Sequence, residues 1–433
     1  QSGKDRIAAK LIYLHSAQLT ADLEAIASAG ISGVQLFHGQ FGGQWPATTD
    51  DIQCLSENWD AAVRHTAEEC KRLGLRFTMQ NCPGWAMSGG PWIKPENAMR
   101  TLVYSRADVA GKDIKLDLPK PQRTEEEWRD YRDIAVLAFP TPEGDTGKPL
   151  EFAQVKGNGN YAWHELMTGK KDRVNFPPTD GDAPHWVEMK FVNPSIIRAI
   201  ELPSIQSLNH GMSFEPGIHL TAYALMADGS KRAIVDADMP QNSWQASHTI
   251  TFACPEVKEA VGCRLEFRNA YHMNMGLVKL WSAARKNSWE SEAAWELRSF
   301  ERSADDVVQN PQAYLASSEV MDITEHMTAD GKLTWSAPAD KAWTILRFGH
   351  VNTGRKNGPA PEAGTGWECD KLSTEGPEAH FAGYIGKLTA GTLQGGMLNG
   401  MLLDSWECYT QTWTQKMEGE FAERTGYALR QWL

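Results

Sequence analysis

No two cysteines of this sequence stand in a C-x-x-C pair, and the seven that occur (Cys54, Cys70, Cys82, Cys254, Cys263, Cys369 and Cys408) are an odd number. Neither a zinc ribbon nor a dense disulfide framework is indicated, although Cys254 and Cys263 lie close enough in sequence to bridge. No run of Lys or Arg stands out, and 55 acids outnumber 43 bases to give a net charge of −12. Nucleic acid and anionic membrane surfaces are therefore poor partners. No apolar run is long enough to span a bilayer, and no signal peptide stands at Gln1. No G-x-G-x-x-G follows any of the early strands, which disfavours a dinucleotide site, and the lack of G-x-S-x-G and of H-E-x-x-H weakens a metal-dependent esterase. Internal repeats and low-complexity tracts are also missing.

What remains is an ordinary globular composition, 41% hydrophobic and 23% charged over 433 residues, with room for two to three domains. Tryptophan is plentiful, 17 against 10 tyrosines. Indoles offer flat apolar faces with one donor, which suits sugar rings, though they serve equally as large core residues.

Residues 11–104 alternate strand and helix. Lys10 to His15 reads as a strand, and Thr20 to Gly30 as an amphipathic helix with Thr20 at its N-cap and Gly30 just past its end. Ser32 to His38 is the next strand, Trp59 to Gly74 a second helix ending in basic residues, and Leu75 to Gln80 a third strand. Strands separated by helices of this length imply a parallel sheet with right-handed crossovers, either a barrel or a doubly wound sheet. The third strand runs into Asn81-Cys-Pro-Gly-Trp-Ala-Met-Ser-Gly-Gly-Pro-Trp92, whose three Gly, two Pro and two Trp make a tight loop that holds indole faces where barrel loops line a site. A purely structural lid is the alternative.

From about 105 to 340 the text becomes short β runs broken by turns: 134–139, 185–191, 197–202, 219–225, 249–252 and 263–267. This spacing indicates a β-sandwich, and the order of the runs around an Asp228-Gly229 turn resembles a galactose-binding-type jelly roll with its core at about 180–285. A helix is expected over Asn287 to Glu301. The α/β pattern returns with a strand at Trp343 to Phe348, a Gly- and Pro-rich loop from Val351 to Lys371, a helix from Glu375 to Leu388 and another from Thr414 to Thr425. The organisation expected is thus a barrel part over 1–104, an inserted sandwich region over 105–342 and a barrel continuation over 343–433. Insertions of this kind are tolerated in barrel loops.

The chemistry concentrates in Asn399-Gly-Met-Leu-Leu-Asp-Ser-Trp-Glu407. The apolar run predicts a short buried strand that delivers Asp404, Trp406 and Glu407 to its C-terminal end, where α/β barrels keep their chemistry. A carboxyl group against an indole wall suits a general acid, so Glu407 is the first catalytic candidate. A helix cap or a surface ion pair would use the same residue.

The Asn81 to Trp92 block, Pro95 to Met99, Trp343 to Gly349, Gly366 to Leu372 and Asp404 to Glu407 fall in the order found in glycoside hydrolase family 106, which this chain resembles over nearly its whole length. The resemblance implies an inverting α-L-rhamnosidase on a (β/α)8-type barrel with inserted β-sandwiches, with calcium at the rhamnose site. It implies Glu407 as general acid, Asn81 and Asp370 holding hydroxyls, and Trp85 and Trp92 as apolar walls. Asp404 and His38 are further candidates for lining the site, and Glu368 with Asp370 for holding Ca2+, a cation that prefers clustered oxygens. A satisfied buried histidine or a structural salt bridge is the other reading of each. His15 departs from the aromatic-rich first strand usual in the family.

Inversion needs a second carboxylate roughly 6.5–9.5 Å from the first. The two α/β stretches hold about five candidate strands, whereas a complete barrel takes eight and about 250 residues. The barrel is therefore expected to be incomplete here, with its remainder and the general base beyond Leu433. The expected substrate is a terminal α-L-rhamnosyl linkage in a plant-derived, pectin-like polysaccharide or a glycoside, met in the periplasm or outside the cell. A glycosidase for another sugar, or a carbohydrate-binding protein without catalysis, fits the same residues.

Overall fold

The computed structural model describes residues 16–37, 54–84, 88–121, 127–181, 183–208, 217–240, 245–296, 298, 307 and 311–433. The strand expected at Lys10 to His15 lies outside them, as do His38 and Trp85. Two compact units divide the chain. One is drawn from Gln1–Val103, Gln122–Ile134 and Gly349–Ala428, the other from Tyr104–Pro121, Ala135–Phe348 and Leu429–Leu433.

The first unit is built on a parallel sheet of Gly33–Leu36, Arg76–Gln80 and Gly400–Leu402, with Arg76–Gln80 in the centre. Alternation along these strands sends Val34, Leu36, Phe77 and Met79 to one face, where they share a core with Leu23 and Ile26 of the helix Ser16–Ser28 and Trp59, Val63, Ala67 and Cys70 of the helix Glu57–Leu73. Ile385, Leu388 and Leu393 complete this core. The helix Glu57–Leu73 forms where the sequence supplies every terminal device. Ser56 accepts from the Trp59 amide, Glu57 and Asp60 fill the first turn, Lys71 and Arg72 the last, and Gly74 ends it. The helix Ser16–Ser28 begins a turn earlier than expected. Thr20 is no N-cap: its hydroxyl lies 3.0 Å from His65 Nε2, and that nitrogen also reaches the carbonyl of Ser16.

Gln35, Thr78 and Gln80 occupy the opposite face of the sheet, at the register positions Gln35↔Thr78 and Leu402↔Gln80. The strand Gly400–Leu402 is not buried as expected. Met401 and, just after the strand, Leu403 are 45% and 55% exposed, although Met401 pairs with buried Met79 in the neighbouring strand. Among the described residues the parallel sheet has three strands. The expected helix over Glu375 to Leu388 is two, Glu375–Gly383 and Ile385–Ala390, broken at Tyr384, and the last helix is Met417–Thr425.

The second unit is antiparallel. Strands Lys231–Asp238, Ile218–Met226, Ile250–Asn269, His185–Leu202 and Lys279–Trp281 follow one another across a six-stranded sheet, with Phe152–Gly157 also on His185–Leu202. The pair Val174–Phe176 and Met273–Met275 contributes to the same core as this sheet, through Phe176, Met273 and Met275 against Val187, Leu220 and Phe267. Runs expected as separate strands are continuous. Pro194 and Pro255 are absorbed where the register shifts, between Ala253 and Gly262, instead of ending the strands. A four-stranded sheet orders Met321–Asp322, Arg132–Pro140, Lys332–Asn352 and Arg100–Asp117 around Val136, Trp335, Trp343 and Ile345. The helix expected from Asn287 is a single turn, Trp289–Glu292. Glu290 is fully buried there, and its carboxylate accepts from Thr251 Oγ1 at 2.6 Å.

The protein is thus a sheet-rich mixed α/β fold. No described helix is long and apolar enough to cross a membrane. All seven cysteines are buried free thiols, so Cys254 and Cys263 do not bridge.

Candidate active site

Three parallel strands bring their C-terminal ends to one edge, and the first unit gathers its polar groups there. Gln80 closes the central strand. The Asn81 amide donates to the Leu402 carbonyl at 2.8 Å, so the ladder continues one residue further and the segment Asp404 to Glu407 leaves beside it. Asn81 is itself buried, and its carbonyl accepts from His380 Nε2 at 3.0 Å.

His380 is fixed from both sides. Its Nδ1 accepts the Trp92 indole N–H at 3.2 Å, so the proton resides on Nε2. Burial pulls its pKa down to about 4, against the opposing pull of the Asn81 carbonyl. The loop Asn81 to Trp92 is tied down in the same unit. Asn357 donates to the carbonyls of Pro83 and Gly364 and accepts from the Gly366 amide, and Gly89–Gly90 pairs with Trp367–Glu368.

The expected apolar wall at Trp92 is not formed. Its ring stacks on Tyr384 with centroids 5.4 Å apart, and Gly90 and Gly383 pack so closely that a Cβ on either would fall 2.3 Å or 2.1 Å from the indole. The half-buried indole is a wedge between core and loop, with Tyr384 on its ring and His380 on its N–H.

Glu368 and Asp370 also depart from expectation. Asp370 is buried, its Oδ1 taken by the Leu372 amide and Gln411 Nε2 and its Oδ2 by Thr414 Oγ1 at 2.7 Å. Such a carboxylate holds the loop Trp367 to Leu372 to the segment 411–414, with three donors on its two oxygens. Glu368 is fully buried, with Oε2 2.6 Å from Lys371 Nζ and Oε1 without a donor. Burial opposes the charge on Lys371, but Glu368 more than offsets it, and the ammonium's pKa is raised. A cation therefore already stands at Glu368, and no three His, Cys, Asp or Glu side chains among the described residues come together as a metal site. This pair does not fit calcium.

The segment after Leu402 lies over that ion pair. Lys371 Nζ sits 5.0 Å from the Trp406 ring centroid, Trp406 Nε1 donates to the Tyr409 carbonyl at 2.6 Å, and buried Cys408 reaches Met99 Sδ at 3.9 Å. Arg355 lies 3.4 Å over the Tyr409 ring. Within this segment Glu407 is half-buried and Trp406 is 42% exposed, so the indole is not the closed wall the sequence suggests. Asp404 is half-buried and accepts from Ser405 Oγ at 3.2 Å.

The structure therefore brings Asn81, Asp404 and Glu407 to one edge. It withdraws Trp92, Glu368 and Asp370 into structural roles. Sequence reasoning missed Gln80, Lys371 and His380. Gln80 carried a readable signal, a polar residue ending an apolar strand. It is buried, and neither its amide nitrogen nor its oxygen has a partner among the described residues.

Comparison with known proteins agrees with this architecture. The model of glycoside hydrolase family 106, alpha-L-rhamnosidase, matches residues 15–433. A Formosa agariphila protein named putative beta-glucuronidase is 28% identical over 418 residues, which cover 96% of this chain and 23% of that protein. The structure of a rhamnosidase from Novosphingobium sp. PP1Y is similar in fold, with a TM-score of 0.75 at 23% identity over 99% of this chain and 40% of that chain. The chain thus spans less than half the length of either relative. With the family matched over nearly all of its residues, the chain belongs to glycoside hydrolase family 106, the α-L-rhamnosidases.

Proposed function

We propose that this chain carries the acid side of the active site of an inverting exo-α-L-rhamnosidase acting on terminal rhamnosyl groups of plant-derived, pectin-like polysaccharides. The observation that carries the reading is the single edge shared by Gln80, Asn81 and the Asp404 to Glu407 segment, on a chain of this family. Glu407 protonates the glycosidic oxygen as the anomeric carbon–oxygen bond breaks. A water attacks the anomeric carbon from the opposite face and gives its proton to a second carboxylate, leaving the sugar inverted. No described residue is assigned as that base.

Gln80, whose amide has no partner among the described residues, and Asp404 are assigned to the sugar hydroxyls. The parallel sheet is read as part of a (β/α)8-type barrel and the antiparallel sheet as a galactose-binding-type jelly roll. A polysaccharide substrate places the protein in the periplasm or outside the cell.

The name of the Formosa relative raises a glucuronoside as substrate. Lys371, the buried cation at this edge, is neutralised by Glu368 and offers no charge to a uronate carboxylate, which favours a neutral sugar. The test is hydrolysis of para-nitrophenyl α-L-rhamnopyranoside and β-D-glucuronide by the full-length protein and its Glu407→Gln form. Loss of at least a hundredfold in kcat on the rhamnoside is expected, with the glucuronide inert in both. Unchanged turnover by the variant overturns the acid assignment.

A further inference from the structure

The outer face of the six-stranded sheet carries a row of charged residues that the active site does not use. Register places Asp238 opposite His219, and His219 opposite Arg268, on three adjacent strands. The imidazole lies between two carboxylates, Nδ1 2.8 Å from Asp238 Oδ1 and Nε2 2.7 Å from Asp236 Oδ1. Each aspartate spends one oxygen on it, and the carboxylates are 66% and 72% exposed.

Arg268 differs from its neighbour on the same face. Arg264 pairs with Glu188 and Glu266 and lies over the Trp186 ring, whereas the half-buried Arg268 guanidinium has no ion-pair partner among the described residues. Arg268, His219, Asp238 and Asn269 line a pocket of about 390 Å³, within the range of small-ligand sites. Asn269 is buried. Its amide donates to the carbonyls of Pro177 and Tyr271, but its Oδ1 has no donor among the described residues. At Gly217, another lining residue, a Cβ would fall 3.1 Å from the Tyr271 ring, which is 57% exposed.

We propose that this pocket is a non-catalytic binding site for a neutral sugar residue, with Arg268 donating to ring hydroxyls, Asp238 accepting from one, and the Tyr271 ring against an apolar sugar face. Ligand class follows from the charge count. Two aspartates stand against Arg268 and an imidazole whose two nitrogens both face carboxylate oxygens, so the site has no excess of positive charge to hold a phosphate or a polyanion. What it does offer is a planar donor fork, an exposed acceptor, an unsatisfied buried acceptor and an aromatic ring, as a polyhydroxylated ring with one apolar face requires. A glycan anchored here would raise the local concentration of a polymeric substrate without taking part in the reaction.

Saturation-transfer NMR on this chain tests the site, with methyl glycosides of L-rhamnose, D-galactose and D-glucose as neutral probes and sodium D-galacturonate as the anionic one. At least one neutral glycoside is expected to bind, tenfold or more weakly in Arg268→Ala and in Tyr271→Ala, and unchanged in Glu407→Gln. Far-UV circular dichroism of each variant checks that the sheet is intact. Binding of none of the neutral probes, binding of galacturonate alone, or binding that survives both pocket substitutions but falls with Glu407→Gln overturns the proposal.

Discussion

Lys371→Met isolates the buried ion pair that lies against the Trp406 ring. Lys371 Nζ is 2.6 Å from Glu368 Oε2, with the two side chains 7% and 0% exposed, and Glu368 Oε1 has no donor among the described residues. Methionine keeps the apolar stem and removes only the ammonium, so little packing is lost. Glu368 is then a buried carboxylate without a cation. Breaking such a pair from one side costs about 3–5 kcal/mol, which for a unit of this size lowers its melting temperature on the order of 10 °C. Glu368→Gln placed on Lys371→Met removes the stranded charge and should recover more than half of the loss. Thermal unfolding followed by circular dichroism and tryptophan fluorescence measures all three forms. A single variant within 1 kcal/mol of the parent, or a double variant no more stable than the single, refutes the reasoning.

Acid should unfold the first unit through its histidines. His380, near 4, and His350, held near 3 by burial and by Arg100, whose Nε donates to its Nδ1, stay neutral while the unfolded chain takes up protons at a histidine's usual 6.5. Stability is therefore intact above about pH 6.5 and falls by a few kcal/mol between there and about pH 4, readable as a falling melting temperature that Glu407→Gln does not alter. His219 acts in the opposite sense. Although burial opposes the shift, Asp238 and Asp236 raise its pKa, so its contribution is present at low pH and lost as pH rises through the raised value, a shift that chemical-shift titration of the imidazole would show. Asp370→Ala strips acceptors from Gln411, Thr414 and the Leu372 amide and should destabilise by about 3 kcal/mol in urea unfolding. Trp92→Ala should cost about 3–5 kcal/mol in the same assay, and a variant that kept its stability but raised KM would restore Trp92 as a sugar wall.

The parts of the fold legible in the sequence are those whose signals are local. Lys71, Arg72 and Gly74 mark a helix end within four residues, and the strand that closes with Gln80 follows directly. The continuous strands of the second unit were not legible, because the runs 185–191 and 197–202, and 249–252 and 263–267, stand apart in the sequence and only tertiary pairing joins them through Pro194 and Pro255 as irregularities within a ladder. The same division runs through the site. The Asp404 to Glu407 segment could be placed from the apolar run that precedes it. The role of Asp370 is decided by Gln411 and Thr414, 41 and 44 residues away, and that of Trp92 by His380, 288 residues away. Residue type and the family resemblance named each of them as a site candidate, and their partners place them in the framework of the fold.

Hydrogen bonding sorts the four acids at this edge. Asp370 has both oxygens filled by donors and is buried. Glu368 is buried against an ammonium, Asp404 is half-buried with one weak local donor, and Glu407 is half-buried with no described ion pair. A proton donor to a leaving group must exchange its proton with solvent in each turnover and reach a substrate oxygen within hydrogen-bond distance. A buried carboxylate held by three donors can do neither without first breaking bonds, each worth about 1.5–3 kcal/mol when the acceptor is charged. The chemistry that suits Glu407 is therefore closed to Asp370 by its partners. If Asp370→Asn lowered kcat on the aryl rhamnoside as far as Glu407→Gln while leaving the melting temperature unchanged, this sorting by donors would be wrong.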